Sequence, residues 1–278
     1  MTWGCNQLIM AESLRQTLGN ENAFETVMRL QGNVYRDVPG RCTMRVEIAG
    51  ESYFVKQHFG VGWGEIFKNL LTLRRPVVSA LTEWLAIERL EQLGIPTTPA
   101  VAYGCKGRTP ATLHSFILTR DLGDITSLED VCRDWLTHPP VPHIKRLLLK
   151  AVAHIARTIH DNGLIHRDFY LCHLCPDLPK LAAGEAYIYL VDLHRVEMYV
   201  KAPPNARMKD IAALYFSALD SGLTRRDCLR FLRQYRGMPL HEIFRTERPF
   251  WKAVDRRARK LYYKFHQRQP VTPFDKPA

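Results

Sequence analysis

Four charged residues of this sequence stand in an order that suits chemistry on a polyanionic substrate. Lys56 lies in an alternating stretch typical of a strand, and Glu83 lies near the start of the next long helical pattern. Asp168 ends a His-Arg-Asp triplet, and Asp192 follows the apolar run at 187–191. A lysine can hold phosphate oxygens, and carboxylates can bind a metal ion or accept a proton. The types and their order match those used for phosphoryl transfer.

Phosphoryl transfer depends mainly on positioning and on neutralising charge. We therefore expect Lys56 to hold the α- and β-phosphates of ATP, and Glu83 to orient Lys56 through an ion pair. Asp192 is expected to bind Mg²⁺, a hard cation that prefers carboxylate oxygens. Asp168 is expected to accept the proton of the acceptor hydroxyl group and to aim its oxygen at the γ-phosphate. Each of these residues, taken alone, also has an ordinary structural explanation. The prediction therefore rests on finding all four of them in this order.

The elements that must position these residues divide the chain into a strand-rich first part and a helical second part. Strands are predicted at 41–48, 53–59, 100–103 and 115–119, and a β-like run at 187–191; helices are predicted at 63–71, 81–93, 141–159, 207–219, 224–235 and 250–266. Strands followed by helices indicate an α+β fold. We predict a bilobal protein-kinase-like arrangement, with an ATP-binding lobe over 1–120 and a helical catalytic lobe over 121–278.

The chain resembles the bacterial lipopolysaccharide core heptose(I) kinases over about residues 30–265. The motifs that carry the resemblance are Tyr53-Phe54-Val55-Lys56, Gly62-Trp63-Gly64-Glu65-Ile66, Lys68-Asn69-Leu70-Leu71, Glu83-Trp84-Leu85-Ala86-Ile87, His166-Arg167-Asp168-Phe169-Tyr170-Leu171-Cys172-His173, Val191-Asp192-Leu193-His194-Arg195 and Lys209-Asp210-Ile211-Ala212-Ala213-Leu214-Tyr215-Phe216. The resemblance implies phosphorylation of the first heptose of the inner core, with ATP and Mg²⁺, at the cytoplasmic face of the inner membrane. It also implies acyl carrier protein as a partner. A Kdo sugar and a protein tyrosine are the alternative acceptors for the same fold.

Three positions depart from a standard protein kinase. The glycine-rich loop is reduced to one glycine at 37–41, which leaves Arg41 or Arg45 as the candidate to hold phosphates there. His173 stands where a second metal-binding Asn is expected, and imidazole is a softer ligand than an amide oxygen. The helix that carries Asp210 begins soon after Asp192, without an Ala-Pro-Glu motif, which favours a non-protein acceptor. The resemblance suggests that Asp210 anchors the catalytic loop.

The chain is strongly basic, with a formal net charge of +11 and a pI of about 9.4. Between residues 225 and 268 there are fourteen Lys or Arg and four Asp or Glu, so nearly the whole excess lies near the C-terminus. This segment is either a solvated face or a surface attracted to anionic lipid. A nucleic-acid-binding protein is the remaining basic class, and no motif of that class is present, so no nucleic acid is expected. A pseudokinase is expected to lack Lys56, Asp168 or Asp192, and all three are present.

The seven cysteines are odd in number and scattered, which predicts free thiols in a reducing compartment. Cys172 and Cys175, with His166 and His173, offer a zinc site, but a second ligand pair at motif spacing is missing. The N-terminus does not read as a signal peptide, and no apolar stretch approaches the ~20 residues of a membrane-spanning helix. We therefore expect a cytoplasmic protein at the periphery of the inner membrane.

Overall fold

The computed structural model describes residues 5–19, 22–60, 79–109 and 111–275. The chain divides into two compact units, Met1–Arg89 with Thr98–Gly123, and Leu90–Thr97 with Asp124–Ala278. The helix predicted at 63–71 lies outside the described residues. The assignment of ATP binding to residues 1–120 and of catalysis to residues 121–278 stays a prediction.

The first unit contains a six-stranded antiparallel sheet in the order β1-β5-β6-β4-β3-β2. Its strands are β1 (Cys5–Met10), β2 (Asn33–Val38), β3 (Arg41–Ile48), β4 (Glu51–His58), β5 (Ala100–Gly107) and β6 (His114–Arg120). The helices α1 (Glu12–Leu18) and α2 (Ala23–Met28) belong to this unit, and α3 (Leu81–Gln92) begins in it. The strands predicted at 41–48 and 53–59 are therefore present, the second beginning two residues earlier than expected.

The hairpin of β3 and β4 has the residues that a tight turn needs. Ala49 and Gly50 both have positive φ angles, of 53° and 80°, as the two central residues of a two-residue hairpin loop require. Along β4, Tyr53, Val55 and Gln57 are buried on one face, so the intervening Lys56 lies on the other. Local alternation thus fixes the side of the sheet on which Lys56 lies.

A cluster of buried apolar residues holds helices α1 and α2 against the sheet. Val27 of α2 and Val55, Phe116 and Leu118 of the sheet are fully buried in this cluster. Burying apolar surface is the main stabilising term in folding. Gln57 adds a polar contact, since its side-chain amide donates to the Val27 carbonyl oxygen at 2.8 Å. The strand that carries Lys56 is therefore packed on the face opposite to the lysine.

One prediction about the cysteines is wrong. Cys5 and Cys105 form a disulfide that joins β1 to β5, with their Cα atoms 5.9 Å apart. The antiparallel register places Cys5 opposite Gly107 and Gln7 opposite Cys105, which brings the two cysteines together. They are separated by 100 residues in the sequence, and composition gives no information on that register. The other five cysteines are free thiols, as predicted.

The second unit is mainly helical, which confirms the α+β fold class. Its helices are α4 (Leu128–Val131), α5 (Pro142–Asp161), α6 (Leu178–Ala182), α7 (Pro204–Ser217), α8 (Arg225–Arg236), α9 (Leu240–Thr246) and α10 (Arg248–His266), with a 3-10 turn at Leu171–His173. Two short antiparallel pairs complete it: β7 (Leu164–Ile165) with β10 (Glu197–Met198), and β8 (Leu174–Pro176) with β9 (Ile188–Leu190).

Helix α5 directly precedes the segment that contains the His-Arg-Asp triplet. Its buried residues Leu148, Val152, Ile155 and Ile159 recur at helical spacing, so one side of the helix faces the core. The helix ends before Gly163, which has a φ of +81° and lies against the Tyr199 carbonyl oxygen. A Cβ atom at this position would collide with that oxygen, so glycine is required where the chain turns into β7.

An apolar cavity of about 560 Å³ lies among α5, α7, α8 and α10 of the second unit. Its lining includes Trp135, Leu148, Val152, Phe231 and Trp251. Cavities of this size are typical of ligand sites, and an apolar lining suits an apolar ligand.

Candidate active site

The ion pair predicted between Lys56 and Glu83 is present in the first unit. The Lys56 ammonium nitrogen lies 2.5 Å from Glu83 Oε1, and the side chains are 21% and 4% exposed. Lys56 occupies the middle of β4, with Thr43 of β3 and Ile117 of β6 as its neighbours. Glu83 lies in the first turn of α3. Both residues are therefore held by regular elements, and Lys56 has little freedom to leave its position.

The two arginine candidates of β3 differ in their surroundings. Arg45 lies 2.6 Å from the Asp121 carboxylate, and its Nε donates to the Ser52 hydroxyl oxygen at 2.8 Å. These contacts hold the Arg45 side chain against Ser52 of β4 and against Asp121, which directly follows β6, and a phosphate-binding role for Arg45 stays a prediction. Arg41 is half-buried and lies opposite His58 on β4. A phosphate-binding role for Arg41 stays a prediction.

In the second unit, a buried carboxylate fixes the His-Arg-Asp loop. Asp210 of α7 accepts hydrogen bonds from the backbone N–H groups of His166 at 2.7 Å and Arg167 at 3.0 Å. His160 of α5 lies 3.3 Å from the same carboxylate. Arg167 has a φ of +75°, a conformation that non-glycine residues adopt only when their surroundings impose it. The expected anchoring contact of Asp210 is therefore present.

His166 links this loop to the segment that carries Asp192. Its Nε2 donates to the Val191 carbonyl oxygen at 3.1 Å, and its ring stacks on that of His173 at 5.8 Å. Burial lowers the pKa of His166, although the Asp210 carboxylate opposes this effect. The ring is thus held in its neutral form and acts as a structural bridge.

Asp168 itself is engaged by Arg195, a residue without a predicted role in the site. Arg195 Nη1 donates to both carboxylate oxygens of Asp168, at 2.8 and 3.0 Å. The Arg195 side chain is 45% exposed, whereas that of Asp168 is 19% exposed. No short-range signal indicates this contact, because Arg195 stands 27 residues after Asp168 in the sequence.

Asp192 lies between two imidazoles. His173 Nδ1 donates to the Asp168 carbonyl oxygen at 2.6 Å, which leaves its Nε2 directed at Asp192, 3.5 Å from Oδ2. His194 Nδ1 lies 2.5 Å from the other oxygen of Asp192. The His173 ring therefore joins the backbone of Asp168 to the carboxylate of Asp192. The structure brings together three residues predicted for the site: Asp168, His173 and Asp192.

The donors at Asp192 fit a weakly chelated divalent cation. In its neutral form His173 has a lone pair on Nε2, and this lone pair and the Asp192 carboxylate converge on the same space. In the described ranges no group of three or more His, Cys, Asp or Glu side chains has the geometry of a metal site. Mg²⁺ usually keeps several water or substrate oxygens as ligands, so a site with few protein ligands suits this cation.

The alternative zinc site at Cys172 and Cys175 is not supported. Burial raises the pKa of each thiol to about 11. A thiol must lose its proton to bind zinc, and these environments disfavour the thiolate. Both cysteines are therefore interpreted as packing residues of the second unit.

These parts define a phosphotransferase of the protein-kinase class: a strand lysine paired with a helix glutamate, an anchored His-Arg-Asp loop and a second aspartate after a short strand. The model of the lipopolysaccharide kinase (Kdo/WaaP) family matches residues 25–235. The chain belongs to this family, which confirms the resemblance found in the sequence.

Individual relatives cover nearly the whole chain. The lipopolysaccharide core heptose(I) kinase WaaP of Pseudomonas aeruginosa is 48% identical over 257 residues, which are 92% of this chain and 96% of that protein. The WaaP of Escherichia coli is 44% identical over 242 residues, with 87% and 91% covered. A solved structure of WaaP in complex with acyl carrier protein has a TM-score of 0.80 at 42% identity, and covers 92% of this chain and 99% of that chain.

Proposed function

We propose that this chain transfers the γ-phosphate of ATP to the first heptose of the lipopolysaccharide inner core. The observation that carries the proposal is the position of Asp168, on a loop whose backbone is anchored by the buried Asp210 carboxylate. The relatives that share this chain over most of its length are lipopolysaccharide core heptose(I) kinases.

Each residue has a defined part in the proposed reaction. Lys56, held by Glu83, binds phosphate oxygens of ATP and keeps the nucleotide in place. Asp168 accepts the proton of the acceptor hydroxyl group and orients its oxygen for in-line attack. Asp192 and His173 hold the divalent cation. The cation that they would hold would supply positive charge to neutralise the phosphate groups.

The acceptor is proposed to be a sugar because the segment after Asp192 leaves little room for a docked peptide. This segment forms the short strand β10, which pairs with β7, and α7 begins at Pro204 only a few residues later. A protein kinase needs a longer activation segment to present a peptide. The short segment after Asp192 supports a sugar acceptor, and Lys56, Asp192 and His173 support the use of ATP and Mg²⁺. A direct assay of phosphoryl transfer tests both.

The test is transfer of labelled γ-phosphate from ATP to purified lipopolysaccharide that contains heptose but no heptose phosphate. A heptoseless lipopolysaccharide that ends in Kdo and a tyrosine-containing peptide serve as parallel acceptors. We expect label on the heptose acceptor alone, and only when Mg²⁺ is present. Label on the Kdo acceptor or on the peptide would replace the proposed acceptor with that one, while absence of any transfer would contradict a kinase function.

We also propose that the chain works at the cytoplasmic face of the inner membrane. None of the helices in the described part of the chain has the length and apolar character to cross a bilayer. Some of the basic residues form ion pairs within the chain: Arg236 pairs with Glu247, and Arg259 pairs with Asp255 and Asp275. The remaining exposed cations support attraction to an anionic surface, since each basic residue near such a surface contributes about 1 kcal/mol.

Acyl carrier protein is the proposed partner, and the apolar cavity supports it. The cavity is lined by apolar side chains of the second unit, and an acyl chain is a ligand of matching chemistry. Three exposed cations of α10, Arg248, Lys252 and Arg256, also line it. Their spacing of four residues places like charges side by side, at a cost of roughly 0.2–0.5 kcal/mol per pair unless an anion neutralises them.

Binding of acylated and unacylated acyl carrier protein to the purified chain tests this partner. We expect the acylated form to bind at least about tenfold more tightly, since only it can fill the cavity. Exchange of Lys252 and Arg256 for Glu should weaken binding of both forms, and the same change at exposed Arg225 and Arg226 of α8 should not. Equal binding of the two forms would show that the cavity does not receive the acyl chain of the partner.

A further inference from the structure

An aromatic surface begins in the catalytic loop and continues to the end of α10. We define it by Tyr170, Phe216, Phe265 and His266. Tyr170 stands two residues after Asp168, and its ring lies 6.1 Å from that of Phe216. Phe216 lies 6.1 Å from Phe265 and 6.2 Å from His266. The four rings therefore form a continuous series within the second unit.

The outer end of this aromatic surface is open to solvent. Phe265 is 76% exposed, although it is a large apolar residue in a regular helix. It also contacts His266, at 5.0 Å between ring centroids, and His266 packs on Tyr262 at 4.2 Å. Tyr262 is in turn fixed by a 2.7 Å hydrogen bond to Asp220. Phe265 and His266 therefore present two adjoining exposed rings on a helix end that is fixed by these contacts.

The inner end is polar and positively charged. Arg195 lies on the Asp168 carboxylate and is itself nearly half exposed. Burial raises the pKa of the Tyr170 hydroxyl group, the Asp168 carboxylate adds to this effect, and the charges of Arg257 and Arg195 oppose it. Within the described part of the chain nothing hydrogen-bonds that hydroxyl group. The Arg195 guanidinium and a hydroxyl group without a partner among the described residues thus lie close to the carboxylate that must receive the acceptor.

We propose that the aromatic surface, together with Arg195, is the acceptor-binding site and receives an oligosaccharide that carries acidic groups. One face of a sugar ring presents C–H groups, and these pack on the electron-rich faces of aromatic rings. The half-exposed Arg195 suits an acidic substituent close to the reacting hydroxyl group. This inference rests on the proposed function, and it names the residues that recognise the acceptor.

A lipid bilayer is the competing occupant, because exposed aromatic and basic residues also suit a membrane interface. The arrangement favours the sugar: the rings extend outward from the catalytic loop, and the Arg195 guanidinium lies on Asp168 at the inner end. A surface that served only the bilayer would not need to reach Tyr170.

The decisive experiment uses a soluble acceptor. Binding of deacylated, phosphate-free inner-core oligosaccharide is measured by isothermal titration calorimetry, and phosphoryl transfer to it is measured in parallel. We expect Phe265→Ala to weaken binding and raise the acceptor KM about tenfold, with the KM for ATP unchanged. Phe265→Trp should restore binding. Leu136→Ala removes a side chain that is also largely exposed, at 68%, and should have no effect.

The outcomes separate this inference from the proposed function. Unchanged oligosaccharide binding in Phe265→Ala would overturn the inference, as would a loss seen only with glycolipid in vesicles, which would assign the surface to the membrane. A wild-type chain that shows no oligosaccharide binding would overturn it as well. Binding that is lost in Phe265→Ala, in a chain that transfers no phosphate, would support the acceptor site and contradict the kinase reaction.

Discussion

Replacement of Asp168 by Asn is expected to lower kcat for phosphoryl transfer by about 10²- to 10⁴-fold, the range typical of a lost general base. Asn keeps the shape of the side chain and can still accept a hydrogen bond from Arg195, so the fold is preserved. Its amide cannot take the proton of the acceptor hydroxyl group. Steady-state kinetics with the heptose acceptor measure the change, and titration with ATP should show unchanged nucleotide binding.

The control for this prediction is Asp124→Asn, which changes an exposed aspartate of the second unit and should leave kcat unchanged. The melting temperature of each variant is recorded with the kinetics. If Asp168→Asn retains more than about a tenth of the wild-type kcat, Asp168 does not receive the proton and another group must be sought.

The second large effect is expected at the Lys56–Glu83 pair. Lys56→Met should abolish detectable transfer, and it should also lower the free energy of unfolding by about 3–5 kcal/mol. Glu83 is only 3% exposed, so removal of the lysine leaves a buried carboxylate without its counter-charge. Chemical denaturation measures the stability, and transfer of labelled phosphate measures the activity.

A double variant separates the two roles of this pair. Lys56→Met with Glu83→Leu replaces both charges by apolar groups, and such exchanges often restore or exceed the original stability. We expect the stability to return while transfer stays absent, because the phosphate-binding charge is gone. Recovery of activity in the double variant would show that the pair serves only the fold.

Much of the regular structure follows from short-range patterns. Helix α8 was expected at 224–235 and is found at Arg225–Arg236, since its ends carry local signals. Thr224 and Asp227 form a capping box, and Gly237 ends the helix with a φ of 64°. Such signals are contained in a few neighbouring residues, so they are readable before any tertiary contact is known.

Strand β1 was missed because its formation depends on a distant partner. Its burial does not alternate, and as an edge strand it is stabilised by pairing with β5, about a hundred residues later. The disulfide between Cys5 and Cys105 was missed for the same reason. Short-range patterns carry no information on which strands become neighbours.

The site shows the same division between local and distant information. Lys56, Glu83, Asp168 and Asp192 were predicted from their types and order, and the ion pair and the anchored loop agree with their expected surroundings. The contact of Arg195 with Asp168 spans 27 residues and depends on the path of the segment after Asp192. Geometry of this kind becomes visible only when the loop conformation is known.

The bonds from the His166 and Arg167 amides to Asp210 have a consequence for motion. These amide hydrogens can exchange with solvent only when the loop separates from α7, and the acceptor carboxylate is 1% exposed. Protection of this kind is typical of core elements and not of surface loops. The segment that performs the chemistry should therefore exchange as slowly as the helices that support it, so that substrates meet a loop already set in its working conformation.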